Sequence, residues 1–200
     1  RLRLAVREAK SNSVPKDVIE RAIKKSQTGN YENFEEVRYE GYGTGGVAVI
    51  VECLTDNRNR TASNIRSLFT KFGGSLAETG AVSFMFERKG LVSYNKMETS
   101  EDELMEIIIE VGAEDLDSDS ENYLIYCHSS DLHKVEKCLE AKLGQSKNSK
   151  LIWKPNTLAS LDLDGAQKFF RLISALEEDD DVQNVTSNVE LSEEIFEQLA

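Results

Sequence analysis

The chain has no apolar run approaching the roughly 20 residues that a membrane-spanning helix needs. Its longest, such as Val47–Val51 and Ile107–Ile109, are far shorter, so no membrane partner is expected. No secretory signal pattern is found either. Cysteine is scarce. Cys53, Cys127 and Cys138 are odd in number and widely spaced, which points to a reducing compartment, the cytoplasm, rather than a disulfide scaffold. Only two histidines occur, His128 and His133, both in one short stretch. With Cys127 and Cys138 nearby they invite a metal reading, but no Cys-x-x-Cys knuckle accompanies them and no metal is expected. No Ser/His/Asp or Cys/His set stands out, and no Gly-Lys-Ser/Thr follows a glycine loop. A binding module is therefore favoured over an enzyme, and no cofactor is expected.

What is present suits a soluble fold. Two hundred residues, 40% hydrophobic and 30% charged, allow one to three compact units without disulfides or metal. The net charge of −12 is unevenly spread. Residues 1–25 carry eight Lys/Arg against three acids, residues 26–90 seven against eight, and residues 91–200 nine against 25. A basic head on an acidic body can hold a polyanion at one end, although charged helix faces that merely meet solvent would look the same.

Residues 1–28 read as two helices. Leu2, Ala5, Val6 and Ala9 form one apolar stripe, and Val18, Ile19, Ala22 and Ile23 the other. Pro15 suits the first turn of the second helix and Gly29 its stop. The chain begins at Arg1 inside a helical pattern, so it is expected to be the remainder of a longer protein. A polar linker over 30–36 follows, and Val37–Glu40 begins a strand. The glycine cluster Gly41, Gly43, Gly45 and Gly46 precedes a strand, not a helix. It is read as a hairpin turn rather than a phosphate loop.

Val47–Leu54 is almost continuously apolar and reads as a central strand. The polar loop Thr55–Thr61 comes next. Arg58 and Arg60 alternate there with Asn57 and Asn59, a composition suited to bidentate phosphate contacts. The competing reading is a helix cap with one arginine paired to Asp56. The following helix buries Ala62, Ile65, Leu68, Phe69 and Phe72 and turns Arg66 and Lys71 outward. Ser75–Ala77 and Ala81–Phe86 are expected to pair as a hairpin.

From residue 90 a second unit restarts as strand, helix, strand, strand, helix, strand, the ferredoxin-like order. Ser100 with Glu103 should cap its first helix, Ser129 or Ser130 its second, and Lys150–Trp153 its last strand. Asp164 with Gln167 resembles a capping box for a later helix. Val182–Val189 offers a final strand, and Ser192–Leu199 a short helix. With residues 46–87 these complete a second unit of the same order. The expected organisation is a helical domain (1–36), a central α+β domain (37–89 and 158–200), and an α+β domain inserted in it (90–157). Asp162-Leu163-Asp164-Gly165 resembles part of a calcium loop, but Ser160 and Arg171 stand where ligands are needed. The acidic run Glu177–Asp181 reads as a solvated turn, with a basic partner as the alternative.

Several stretches resemble the YebC family of probable transcriptional regulatory proteins. They are VPKDVIERAIKK (14–25), YEGYGTGGVAVIVECLTDNRNRT (39–61), FTKFGGSLAETGAVSFMF (69–86), EVGAEDL (110–116) and LEEDDDVQNVTSN (176–188). The resemblance covers essentially the whole chain. It implies an α+β fold with a helical N-terminal domain and two ferredoxin-like domains, one inserted in the other, around a crevice. It also implies a cytoplasmic protein without enzymatic activity. Family members are described as DNA-binding regulators of transcription, and relatives that include the mitochondrial translational activator of cytochrome c oxidase act at the ribosome. DNA is thus the first expected partner, with RNA or the ribosome as the alternative, and a monomer is the expected state. Arg1, Arg3, Arg7, Lys10, Lys24 and Lys25 would contribute phosphate contacts from the helical domain. Arg58, Arg60, Arg66 and Lys71 would contribute them from the central one. Thr44 stands where family members often have proline, which should relax the glycine turn.

Overall fold

The structure is a computed structural model. It describes residues 2–11, 13–28, 34–96 and 101–199, without the side chains of residues 3, 4, 7, 8, 11, 25–28, 101 and 193. The described chain divides into two compact units, Asn30–Glu87 with Pro155–Ala200, and Arg88–Lys154 with Arg1–Gly29.

The first of these units is built on β1 (Glu35–Tyr42) and β2 (Ala48–Thr55), an antiparallel hairpin in the register Glu40↔Ile50. The glycine turn behaves as expected. Gly43 N–H donates to Val47 O at 2.8 Å, and Gly45 and Gly46 adopt φ of 70° and 76°, where a Cβ would be strained. Thr44 adds a bond that proline could not: its hydroxyl donates to Phe72 O at 3.1 Å. The turn is tied down there rather than relaxed. The helices α3 (Arg58–Lys71) and α6 (Leu163–Glu177) supply the unit's apolar face. Val47, Val49, Val51, Ile65, Phe69 and Phe169 are fully or almost fully buried together.

The sheet order is β3-β1-β2-β9, with β3 at Ser75–Leu76 and β9 at Val182–Ser187. This is the ferredoxin-like arrangement with one strand supplied from the wrong end of the chain. The hairpin expected between Ser75–Ala77 and Ala81–Phe86 does not form. β3 pairs with β1 instead, and Ser83–Met85 is a 3-10 turn. The cause is Glu40. Its buried carboxylate accepts the N–H groups of Val82 and Ser83 at 2.9 Å each, and its carbonyl takes that of Ala77 at 2.8 Å. The Val82 and Ser83 amides are consumed by a side chain and are not available for a ladder. Burial would raise the Glu40 pKa, but the N–H groups of Val82, Gly80 and Ser83, with Arg38, outweigh it and hold it below the usual value. Arg38 lies 3.2 Å from the same carboxylate.

A short parallel pair, β8 (Ala159–Ser160) with β10 (Val189–Glu190), and the helix α7 (Glu193–Leu199) complete this unit. Buried Asn188 joins it to the main sheet, accepting from Ala48 N–H at 2.8 Å and donating to Thr157 O at 3.0 Å. The cap of α6 is Asp162, which accepts from Gly165 N–H at 2.8 Å. Asp164, expected as the cap, sits inside the helix, because the chain is already helical at Leu163.

The other unit carries β4 (Phe86–Asn95), α4 (Glu101–Val111), β5 (Asp115–Ser118), β6 (Asn122–His128), α5 (Leu132–Leu143) and β7 (Asn148–Pro155). Sheet order β5-β6-β4-β7 is the ferredoxin-like one. Alternation sends Val92, Ile125 and Cys127 into a core with Leu104, Ile108, Val135 and Leu139 of the two helices. Gly112 and Gly144 end α4 and α5 with φ of 79° and 82°. The N-cap position of α5 falls to Asp131, not to either serine; Ser130 bonds the His128 ring instead, at 2.8 Å. Ser100 lies outside the described residues, as does Gly29. α1 (Leu2–Ser11) and α2 (Lys16–Thr28) form the expected helical pair, broken at Ser13 with φ 59°.

Candidate nucleic-acid interface

The stretch read as a polar loop is mostly helix. Asn57 caps α3 by accepting Arg60 N–H at 3.1 Å, so the helix starts at Arg58 rather than after Thr61. That changes the arginines. Two positions on a helix differ by about 200° around its axis, so Arg58 and Arg60 diverge rather than forming one clamp.

Arg60 is held inward. One terminal guanidinium nitrogen lies 3.0 Å from Asp56 Oδ1 and 3.0 Å from each oxygen of Asp181. Asp181 is buried, and Thr61 Oγ1 donates to its Oδ2 at 2.7 Å while Thr55 Oγ1 lies 3.2 Å from it. Burial alone would raise the Asp181 pKa; the Thr61 hydroxyl, the Arg60 guanidinium and the Thr55 hydroxyl outweigh it and lower it. The bond and charge of Asp181 in turn raise the Arg60 pKa. The cluster joins the β2–α3 junction to the start of β9, where Leu54 N–H also donates to Asp181 O at 2.8 Å. The alternative of an arginine paired with Asp56 is therefore realised, with Asp181 as a second anchor that residue spacing could not reveal. Around Arg60 lies a cavity of about 660 Å³ lined by Asp56 and Glu178–Asp181, an environment that repels phosphate.

Arg58, Arg66 and Lys71 are exposed and make no ion pair among the described residues. At the far end of α3, Lys71 and Phe72 face Phe170 and Arg171 of α6 across a groove of about 680 Å³, closed on one side by Gln198 and Leu199. The Lys71 ammonium sits 5.2 Å from the Phe72 ring centre. Phe170 is 39% exposed and stands edge-on to buried Phe169, with ring centres 5.9 Å apart. Two cations and two aromatic side chains line this groove with a single carboxylate, Glu178, a combination suited to phosphate and base contact. In the sequence Arg171 stands out only as a position where a calcium loop lacks its ligand. Its partnership with Lys71 joins residues 100 positions apart, so only the packing of α3 on α6 brings it to the groove.

In the other unit, Lys10 and Lys24 are exposed on α1 and α2. Arg1 and the side chains of Arg3, Arg7 and Lys25 lie outside the described residues. Among the described residues, no group of three or more His, Cys, Asp or Glu is placed to hold a metal ion. None of the described helices is long and apolar enough to cross a membrane.

Comparison with known proteins agrees with this architecture. A solved structure of a conserved hypothetical protein from Aquifex aeolicus matches 96% of this chain and 79% of its own, at 47% identity and a TM-score of 0.83. A family profile described as the TACO1/YebC second and third domain matches residues 34–189. With that match over most of its length, the chain belongs to the TACO1/YebC family.

Proposed function

We propose that the chain is a nucleic-acid-binding regulator of gene expression, acting first as a DNA-binding regulator of transcription of the YebC type. The observation that carries this reading is the groove in which Lys71 and Arg171 flank Phe72 and Phe170. Membership of a family whose profile carries the label of transcriptional regulation supports it. Arg58 and Arg66, exposed on another face of α3, would add phosphate contacts outside the groove. Arg60 would act through the fold, because its guanidinium is already shared by two carboxylates. Such contacts set affinity and register more than sequence choice. The reading assigns no catalytic step and needs no cofactor.

The test is duplex binding against salt. Lys71→Ala with Arg171→Ala should lower the slope of log K against log salt by about two units, at about 0.9 per phosphate contact on duplex DNA. Arg60→Ala should leave the slope unchanged. An unchanged slope in the Lys71/Arg171 variant would remove the groove from the site.

A second reading is a translation factor at the ribosome. The acidic cavity formed by Asp56 and Glu178–Asp181 supports it, since it complements basic ribosomal protein surfaces. Co-sedimentation with ribosomes at physiological salt, without preference for promoter DNA, would select it.

A further inference from the structure

The sheet of the Arg88–Lys154 unit has a second face, turned away from α4 and α5. Pairing fixes what lies on it. Leu91 sits opposite Tyr126, Ser93 opposite Leu124, and Asn95 opposite Asn122. These alternate with the core residues Val92 and Ile125, so they share the side turned away from α4 and α5. There Leu91, Ser93, Asn122 and Leu124 line a cavity of about 300 Å³ with Lys147, Asn148 and Lys150. That is the lower end of the range that holds a small organic group. Its floor is aliphatic, from Leu91 and Leu124. Three polar side chains around it, Ser93, Asn148 and Lys150, make no hydrogen bond or ion pair among the described residues. Lys147 is bound only to an amide, with its ammonium 2.8 Å from Asn122 Oδ1, while Asp119 holds the amide nitrogen at 3.1 Å.

Charge on this face is graded. Asp115 and Asp117 lie on it along β5, opposite Tyr126 and Leu124, and Lys154 is neutralised by Asp115 at 2.8 Å. Lys147, just before β7, and Lys150, on β7, lie at the other edge; the charge of Lys147 is shared with nearby Asp119, while Lys150 makes no ion pair among the described residues. An anionic backbone would therefore follow β4 and β7 and avoid β5.

We propose that this cavity receives one unpaired nucleotide of a single-stranded nucleic acid. Leu91 and Leu124 would carry the base face, Asn148 and Ser93 would meet its edge, and Lys147 and Lys150 would hold the flanking phosphates. A base-paired nucleotide cannot enter, because its edge is engaged and both its faces are stacked. The proposal rests on the nucleic-acid reading above but uses a different unit and different residues.

The test uses the 200-residue chain with decamers of single-stranded RNA, single-stranded DNA and duplex DNA, followed by fluorescence anisotropy. Lys147→Ala with Lys150→Ala should lower the single-strand salt slope by about 1.4, at about 0.7 per phosphate contact, and leave duplex binding within about twofold. Both lysines are exposed, so the variant keeps its fold, which circular dichroism checks. Photocrosslinking of a 5-iodouridine strand should place adducts within residues 91–93, 122–124 or 147–150. Tighter binding of the RNA or of the DNA strand identifies which is the source. Failure of single strands to bind, adducts confined to α3 and α6, or an unchanged slope in this variant would overturn the proposal. If Lys71→Ala with Arg171→Ala abolishes binding of every probe while the Lys147/Lys150 variant changes none, this proposal falls and the groove reading stands. Loss in neither variant sinks both.

Discussion

Replacing Asp181 by alanine tests whether the Arg60 cluster holds the fold together. The substitution removes the acceptor shared by Thr61, Thr55 and Arg60. Thr61 can turn its hydroxyl to Asn57 O, 3.1 Å away, and Thr55 and Thr61 remain 2.8 Å apart. One buried hydroxyl is then left without its partner, at about 1–3 kcal/mol. Arg60 is half exposed and rehydrates, so the loss of its pair adds little after screening. The expected loss is about 1–3 kcal/mol, set by the buried hydroxyl left without its partner. Hydrogen exchange read by mass spectrometry should show it as faster exchange across β2 and β9. Trp153, the single tryptophan, lies in the other unit, so its emission during urea unfolding serves as a control that should not move. The pH dependence has a definite sign. Asp181 has a lowered folded pKa, so its contribution is complete above the ordinary aspartate value of 3.8 and is lost as pH falls through the lower folded value. The stability difference between the native protein and Asp181→Asn should be flat from neutral pH to about 5 and shrink below about 4. An alanine variant within about 0.5 kcal/mol of the native protein, the ordinary range of surface substitutions, would refute the reasoning.

Three further outcomes are expected. Glu40→Gln should weaken the grip on Val82 and Ser83 N–H and unpair Arg38, costing about 1–3 kcal/mol; backbone amides of residues 77–85 should then exchange faster than those of β2. Gly43→Ala should cost about 1–3 kcal/mol by overpacking, because its Cβ would fall 2.8 Å from the Phe169 ring, and Phe169→Leu should recover part of the loss in a thermal melt. Burial, with nearby Asp179 and Asp181, pushes the Cys53 thiol up to about 12; burial, chiefly, and Glu114 push Cys127 up to about 11. Iodoacetamide at pH 8 should leave both unmodified until urea unfolds the chain, and rapid labelling of either in the native state would contradict their burial.

Much of the architecture is legible along the chain because it is local. Gly112 and Gly144 end helices whose apolar stripes have the right period, and the 90–157 stretch has the element order of the sheet it forms. What failed was decided at a distance. The segment 81–86 looks like a strand by alternation, but a carboxylate 42 residues upstream takes the amide of Val82. Arg58 and Arg60 look like a matched pair by spacing. Helix geometry separates them, and an aspartate 121 residues away claims Arg60.

Composition and periodicity by themselves determined the α+β class, the ferredoxin-like order of the 90–157 stretch, the glycine hairpin and the exposure of Arg66 and Lys71. These depend on residues within one or two turns of each other, where backbone preference and apolar period act directly. Only the tertiary structure decided which cations are spent and which remain. Asp181 neutralises Arg60 and Asp115 neutralises Lys154, whereas Lys71 gains Arg171 as a neighbour and Lys147 gains Lys150 beside an aliphatic floor. Charge pairing depends on distance through space, and the chain order carries that distance only after the sheets have closed.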